Sequence, residues 1–121
     1  MLDCIIVGIG GFIGSVCRYL VGLLPIEVHN GFPVKTLAIN VIGSFLISAI
    51  AVLASKNEGI NPQLALMLRV GVCGGFTTFS TFAYESNVLI KNGHMMTAVV
   101  YIFLSIILSV SAVFAAQFLI K

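Results

Sequence analysis

The sequence predicts an all-α integral membrane protein with four transmembrane helices, the third broken midway, in one domain over residues 1–121. Three observations carry that expectation. First, 60% of the residues are hydrophobic and only 8% are charged, with a mean hydropathy of +1.16; a soluble domain has roughly 25% charged residues. Second, four apolar stretches, about 4–24, 35–55, 62–90 and 95–120, each reach the roughly 20 residues that cross a bilayer. Third, the third stretch contains GVCGGFTTFSTFAYE (71–85). There the pair Gly74 and Gly75, followed by the hydroxyls of Thr77, Thr78, Ser80 and Thr81, disfavours an uninterrupted helix. A break at bilayer depth is tolerated only where its backbone is buried in protein or lines a water-filled cavity. The working part of the chain is therefore expected at that break.

Composition also limits what the chain can be. Its length, with no shift in composition that would mark a linker, indicates a single domain. A net charge of +2, thinly scattered, argues against a nucleic-acid partner. Cys4, Cys17 and Cys73 lie inside apolar runs without CxxC or metal-ligand spacing. They read as small hydrophobes rather than disulfide partners or metal ligands. No nucleophile–base pair stands out, so an enzyme is not expected. The start, Met1-Leu2-Asp3, lacks the positive opening of a secretory signal peptide, and the first apolar stretch is expected to be retained.

Span one contains GIGGFIGSVCRY (8–19). Gly8, Gly10 and Gly14 imitate a dinucleotide fingerprint, but no strand or βαβ unit surrounds them. Gly10 and Gly14 read better as a GxxxG face for close helix approach in lipid. Arg18 lies about six residues, or roughly 9 Å, from the end of its span. It either snorkels to the interface or places positive potential at the mouth of an aqueous vestibule. A turn follows from Pro25 to Pro33, with Glu27, His29 and Asn30.

Span two sets Thr36, Asn40, Ser44 and Ser48 four apart on one helical face. Asn40 serves either as helix–helix glue or as a pore residue offering two N–H donors to an anion. The second turn, Lys56 to Pro62, carries Asn57 and Glu58.

In span three, Phe76, Phe79 and Phe82 recur every three residues, with Tyr84 and Glu85 after them. Such phenylalanines either pack or turn their electropositive ring edges to an anion in a narrow hole. Carbonyls exposed near Gly74 are acceptors and suit a cation; two antiparallel copies meeting there would enclose one small cation on their axis. Glu85 is the only carboxylate well inside a span, a functional candidate by default, or else a span-end residue hydrogen-bonded to Thr or Ser. After the turn Lys91 to His94, span four repeats the hydroxyl pattern with Thr97, Tyr101, Ser105 and Ser109. This second stripe is either glue or a track of O–H donors without fixed charge, which suits an ion that must pass rather than stay.

With four spans, the two termini and the second loop share one side with Lys56, Arg69 and Lys121, and the other side has Arg18, Lys35 and Lys91. Orientation normally follows a Lys/Arg excess on the cytoplasmic side, and here there is none. Either six charges are too few to decide, or copies insert both ways and pair as an antiparallel homodimer.

GGFIGSVCRY (10–19), TLAINVIGSF (36–45) and GVCGGFTTFSTFAYE (71–85) together closely resemble the CrcB/Fluc family of bacterial fluoride channels, in order and over nearly the whole chain. The resemblance implies a multi-pass protein of the bacterial inner membrane that works as an antiparallel, dual-topology homodimer. Two fluoride pores, each built from both subunits, would export fluoride passively down its gradient. Carried over by motif, Phe79 and Phe82 would line the pore, Asn40 would contact fluoride, and Tyr101, Ser105 and Ser109 would form the hydroxyl track. Arg18 would line the vestibule, and a structural sodium ion would be bound by backbone carbonyls of Gly74 and Thr77 at the break. Thr78 and Glu85 complete the set as further polar residues near the pore.

The alternative from another class is a small proton-coupled drug antiporter. Its proton exchange needs a carboxylate deep in the first span, and span one has none after Asp3. Cages for cationic substrates also favour Trp, which the chain lacks. A purely structural subunit, the third reading, leaves the broken, hydroxyl-rich span without a purpose.

Overall fold

Each apolar stretch becomes a helical span in the computed structural model, which describes residues 1–26, 31–56 and 60–120. The expected turn residues Glu27, His29, Asn30, Asn57 and Glu58, and the terminal Lys121, lie outside the described residues. Helix α1 covers Leu2–Gly22 and α2 covers Val34–Lys56. The third span is composite: α3 (Pro62–Leu66), a π-helical segment (Met67–Cys73), α4 (Gly74–Phe76) and α5 (Phe79–Lys91). Helix α6 runs Met95–Leu119. The four spans contain 21, 23, 30 and 25 residues, and at about 1.5 Å per residue each can cross a hydrocarbon core of about 30 Å. The chain is a multi-pass, all-helical membrane protein. Large apolar side chains such as Phe12, Phe103 and Phe114 point outward, which is favourable in lipid.

Local chemistry sets the helix ends. Asn61 accepts the Gln63 N–H at 2.7 Å, with Pro62 at the first helical position, where its missing N–H costs nothing. At the end of α5, His94 N–H bonds Leu89 C=O, Gly93 N–H bonds Ile90 C=O, and Gly93 has φ +85°. That is a Schellman closure, and its left-handed position favours glycine. Two lysines close helices other than their own. Lys35 donates to the carbonyls of Gly22 and Leu24 at the end of α1, and Lys56 donates to Ile120 C=O beyond α6. Each puts a cation on a negative helix terminus; Lys35 ties α2 to the end of α1, and Lys56 ties the ends of α2 and α6.

The expected GxxxG face on α1 finds a matching one on the third span. A Cβ on Gly10 would lie 2.6 Å from Met67 O and 2.9 Å from Gly71 Cα; one on Gly14 would collide with Val72 O. Reciprocally, a Cβ on Gly75 would lie 2.6 Å from Gly11 O. Backbone meets backbone along this crossing, as small residues permit in lipid.

This packing changes the expected position of the break. Gly74 and Gly75 do not interrupt the span: both are helical, and Gly75 is held at close range by the α1 backbone at Gly11. The interruption falls at Thr77 (φ −81°, ψ 157°) and Thr78 (φ −152°, ψ 119°), both extended. The preceding π-helical turns, which the sequence reading did not anticipate, often mark functional sites.

Candidate functional site

The backbone of the interruption is satisfied largely by side chains from other helices. Asn40 on α2 brackets one residue: its Oδ1 accepts the Thr78 N–H at 2.8 Å, and its Nδ2 donates to Thr78 C=O at 3.1 Å. Arg18 on α1 donates its Nε–H to Gly75 C=O at 3.1 Å, replacing the donor that Phe79 would supply in a continuous helix. Thr78 Oγ1 accepts the Thr81 N–H and so caps α5. Thr77 Oγ1 donates to Cys73 C=O at 2.9 Å. Gly43 makes room for the break, since a Cβ there would collide with Thr77 Cγ2.

A cleft of about 410 Å³ lies beside this segment, bounded by α2, the third span and α6. Its walls bring together Asn40, Phe79, Phe82, Ser105 and Ser109, with Thr77 and Thr78 at the break and Ser44 from the stripe on α2. Among the described residues, no charged side chain lines it. The rings of Phe79 and Phe82 sit 5.5 Å apart at 53°. Phe82 packs against Tyr101, whereas Phe79 is 78% exposed. Ser105 is only 7% exposed, and its hydroxyl has no hydrogen-bond partner among the described residues. An unpaired buried donor facing an uncharged cleft is suited to an anion that has shed its water.

Tyr101 does not line that cleft. It is fully buried (0% exposed), packed edge-on against Phe32 at 5.6 Å, and its O–H donates to Glu85 Oε1 at 3.0 Å. Thr36 Oγ1 donates to Glu85 Oε2, also at 3.0 Å. Two hydroxyls from two helices thus hold one carboxylate. Glu85 also borders a second cavity of about 410 Å³ with Arg18, Lys35, Thr36, Thr78 and Thr81. Arg18 therefore stands both at the break and on a polar antechamber. Sequence reasoning missed three contributors: Thr36 as a partner of Glu85, Gly43 as the seat of Thr77, and Lys35 on the antechamber. The stripe pattern contained Thr36 and the Asn-x-x-Gly-Ser-Phe segment contained Gly43, so both signals were present without a partner to give them meaning.

Among the described residues no group of three or more His, Cys, Asp or Glu side chains is placed to hold a metal. A cation here needs backbone oxygen. Thr78 N–H is turned to Asn40 and so is not available to Gly74 C=O four residues back. Thr81 N–H is taken by Thr78 Oγ1, which leaves Thr77 C=O without its helical donor. Gly74 has nothing within 4 Å of the position a Cβ would take, so this stretch is open on that side.

Comparison with known proteins agrees with this architecture. The family described as "CrcB-like protein, Camphor Resistance (CrcB)" matches residues 5–117. A protein of Gloeothece citriformis named fluoride-specific ion channel FluC is 40% identical over 122 residues, covering 100% of this chain and 98% of the relative. The protein of that name from Chlorobaculum tepidum is 42% identical, with 100% and 96% covered. That of Elusimicrobium minutum is 45% identical, with 90% and 86% covered. With a family match over nearly its whole length and relatives that align end to end, the chain belongs to the CrcB family.

Proposed function

We propose that the protein is a fluoride channel that lets the ion leave the cell passively, through pores that two inverted copies build together in the bacterial inner membrane. The observation that carries this reading is the uncharged cleft in which the amide of Asn40, the hydroxyls of Ser105 and Ser109 and the rings of Phe79 and Phe82 converge. Fluoride is small and strongly hydrated, and burying it is prohibitive unless donors replace the lost water. Neutral O–H and N–H groups do so, and ring edges add positive potential. Without a Lys or Arg on the cleft, the ion is held weakly enough to move on. Arg18 and Lys35 on the antechamber draw anions toward the entrance.

Pairing of inverted copies is supported by surface and by charge. Phe79, Ser80, Tyr84 and Asn87 of α5 are exposed, and polar groups facing lipid are costly; a second copy covers them. The even split of Lys and Arg between the two sides removes the bias that would force one orientation. Thr77 and Thr78 lie near the middle of the Pro62–Lys91 span, which supports a break at mid-bilayer that two inverted copies would share at their axis. The Gly74 and Thr77 carbonyls, freed from helical donors, fit a sodium ion shared with the same carbonyls of the other copy. Bound there, the ion supplies the positive charge that these acceptors otherwise lack in a medium without water.

The antiporter alternative gains no support: the one acidic residue of α1 is Asp3 in its first turn. The test is efflux from proteoliposomes read with a fluoride electrode. Fluoride should leave while chloride is retained, and Phe79→Ile or Phe82→Ile should slow the release. Equal release of the two halides would contradict the proposal.

A further inference from the structure

We propose that Asn40 and Gly43, neighbours on one face of α2, are positioning residues for the cation site, so that one carboxamide serves the anion cleft and the cation ligands together. This rests on the sodium reading above.

The argument starts from the peptide plane. Thr77 C=O and Thr78 N–H belong to the same peptide unit, which is planar and, as throughout the described chain, trans. In a trans unit the two groups point in opposite directions. Asn40 Oδ1 accepts the Thr78 N–H at 2.8 Å, which turns Thr77 C=O away from α2. The same hydrogen bond takes from Gly74 C=O the donor it would have in a continuous helix. One contact thus aims one cation ligand and frees the other. The second arm, Asn40 Nδ2 to Thr78 C=O at 3.1 Å, fixes the next peptide unit, so Thr78 cannot turn without losing both bonds. Asn40 keeps a second Nδ2–H, and its side chain lines the cleft.

Gly43 acts on the same segment from below. Thr77 Cγ2 occupies the space a Cβ on Gly43 would need, and Phe76 Cδ2 is 3.5 Å from that point. A methyl at position 43 would push Thr77, and with it the carbonyl, off α2. Replacing Thr77 by Ser removes the colliding methyl and keeps the hydroxyl that bonds Cys73 C=O.

The experiment is a sodium titration of thermal stability on the purified protein, with N-methylglucamine as the replacing cation and fluoride absent. The variants are Asn40→Ala, Gly43→Ala, Thr77→Ser and the pair Gly43→Ala/Thr77→Ser. Half-saturating sodium should rise about tenfold or more in N40A and G43A, a tenfold step being one decade of affinity. T77S should stay near the wild type, and the pair should return to within about threefold of it, the signature of two coupled neighbours. A G43A protein that melts lower at every sodium concentration, with an unchanged midpoint, would reduce these residues to ordinary packing and overturn the proposal. A pair that is not rescued would do the same. If N40A yields no folded protein, G43A and its rescue decide. A wild type whose melting ignores sodium would overturn the cation reading itself, and the efflux assay would still judge the channel separately.

Discussion

Ser105→Ala should make the protein more stable and a worse channel. The side chain is 7% exposed, and its hydroxyl is buried without a partner among the described residues. Burying a hydroxyl unpaired costs about 1–3 kcal/mol. Alanine removes that cost and leaves a gap of one oxygen atom, small beside the cavities made by large-to-small core changes. The net gain is therefore about 1 kcal/mol. Flux should move the other way. An O–H given to an anion is a charge-assisted hydrogen bond worth about 1.5–3 kcal/mol. If that contact is made chiefly at the barrier, its loss slows permeation about 10- to 100-fold, at about 1.4 kcal/mol per decade. Thermal unfolding without fluoride measures the first effect and electrode-monitored efflux the second. A higher midpoint with slower efflux is expected. Unchanged efflux would refute the donor role, and a lower midpoint would show that the hydroxyl has a structural partner after all.

Three further outcomes are expected. Gly75→Ala brings its Cβ to 2.6 Å from Gly11 O and 3.1 Å from Gly11 Cα, backbone that cannot rotate aside. It should cost about 1–3 kcal/mol or more, whereas Gly8→Ala, with nothing within 4 Å, should gain up to about 1 kcal/mol of helix propensity; thermal unfolding of the two compares them. Thr36→Val and Tyr101→Phe each remove one donor from Glu85. A stability cycle should give a coupling of about 0.5–3 kcal/mol between them, because both bind one carboxylate; strict additivity would deny that they share it. Gln63→Lys with Gln117→Lys shifts the Lys/Arg balance to five against three. Accessibility labelling should then find one predominant orientation, and efflux should fall if inverted copies pair as proposed; labelling that still finds both orientations would break the link between charge balance and topology.

The four spans were legible because lipid demands a long apolar run for each crossing, and the chain has four such runs and little else. Half of the glycine crossing was legible too: Gly10 and Gly14 read as a packing face. Gly71 and Gly75 were harder, since a glycine in a helix signals either a break or a close approach, and only the α1 backbone beside Gly75 decides for approach. The hydroxyl stripes located a face correctly over short range but not over long. Each four-residue step turns an α-helix by about 40°, so Tyr101 and Ser109, eight residues apart, diverge by about 80°. That drift explains why Ser105 and Ser109 line the cleft while Tyr101 is turned to Glu85. The spacing fixed which residues lie near one another along a helix; only the packing fixed what they face.

The break shows why a span's own sequence could not disclose its function. Thr77 and Thr78 are extended because Asn40 from α2 takes both polar groups of Thr78, and Arg18 from α1 takes Gly75 C=O. The bonds to Thr78 N–H and to Gly75 C=O each replace a helical one that lipid would otherwise have enforced. The unwinding is thus a tertiary property, written jointly by three spans. It also sorts the backbone's polarity: with the Thr78 N–H drawn toward α2, the Thr77 carbonyl must point the other way. Acceptors collect on the open side near Gly74, where a cation is suited, while the unpaired O–H of Ser105 and the free N–H of Asn40 remain on the cleft side, where an anion is suited. On the proposed reading, a single peptide orientation would serve ions of opposite sign on its two sides, with no formal charge among the described residues that line the cleft.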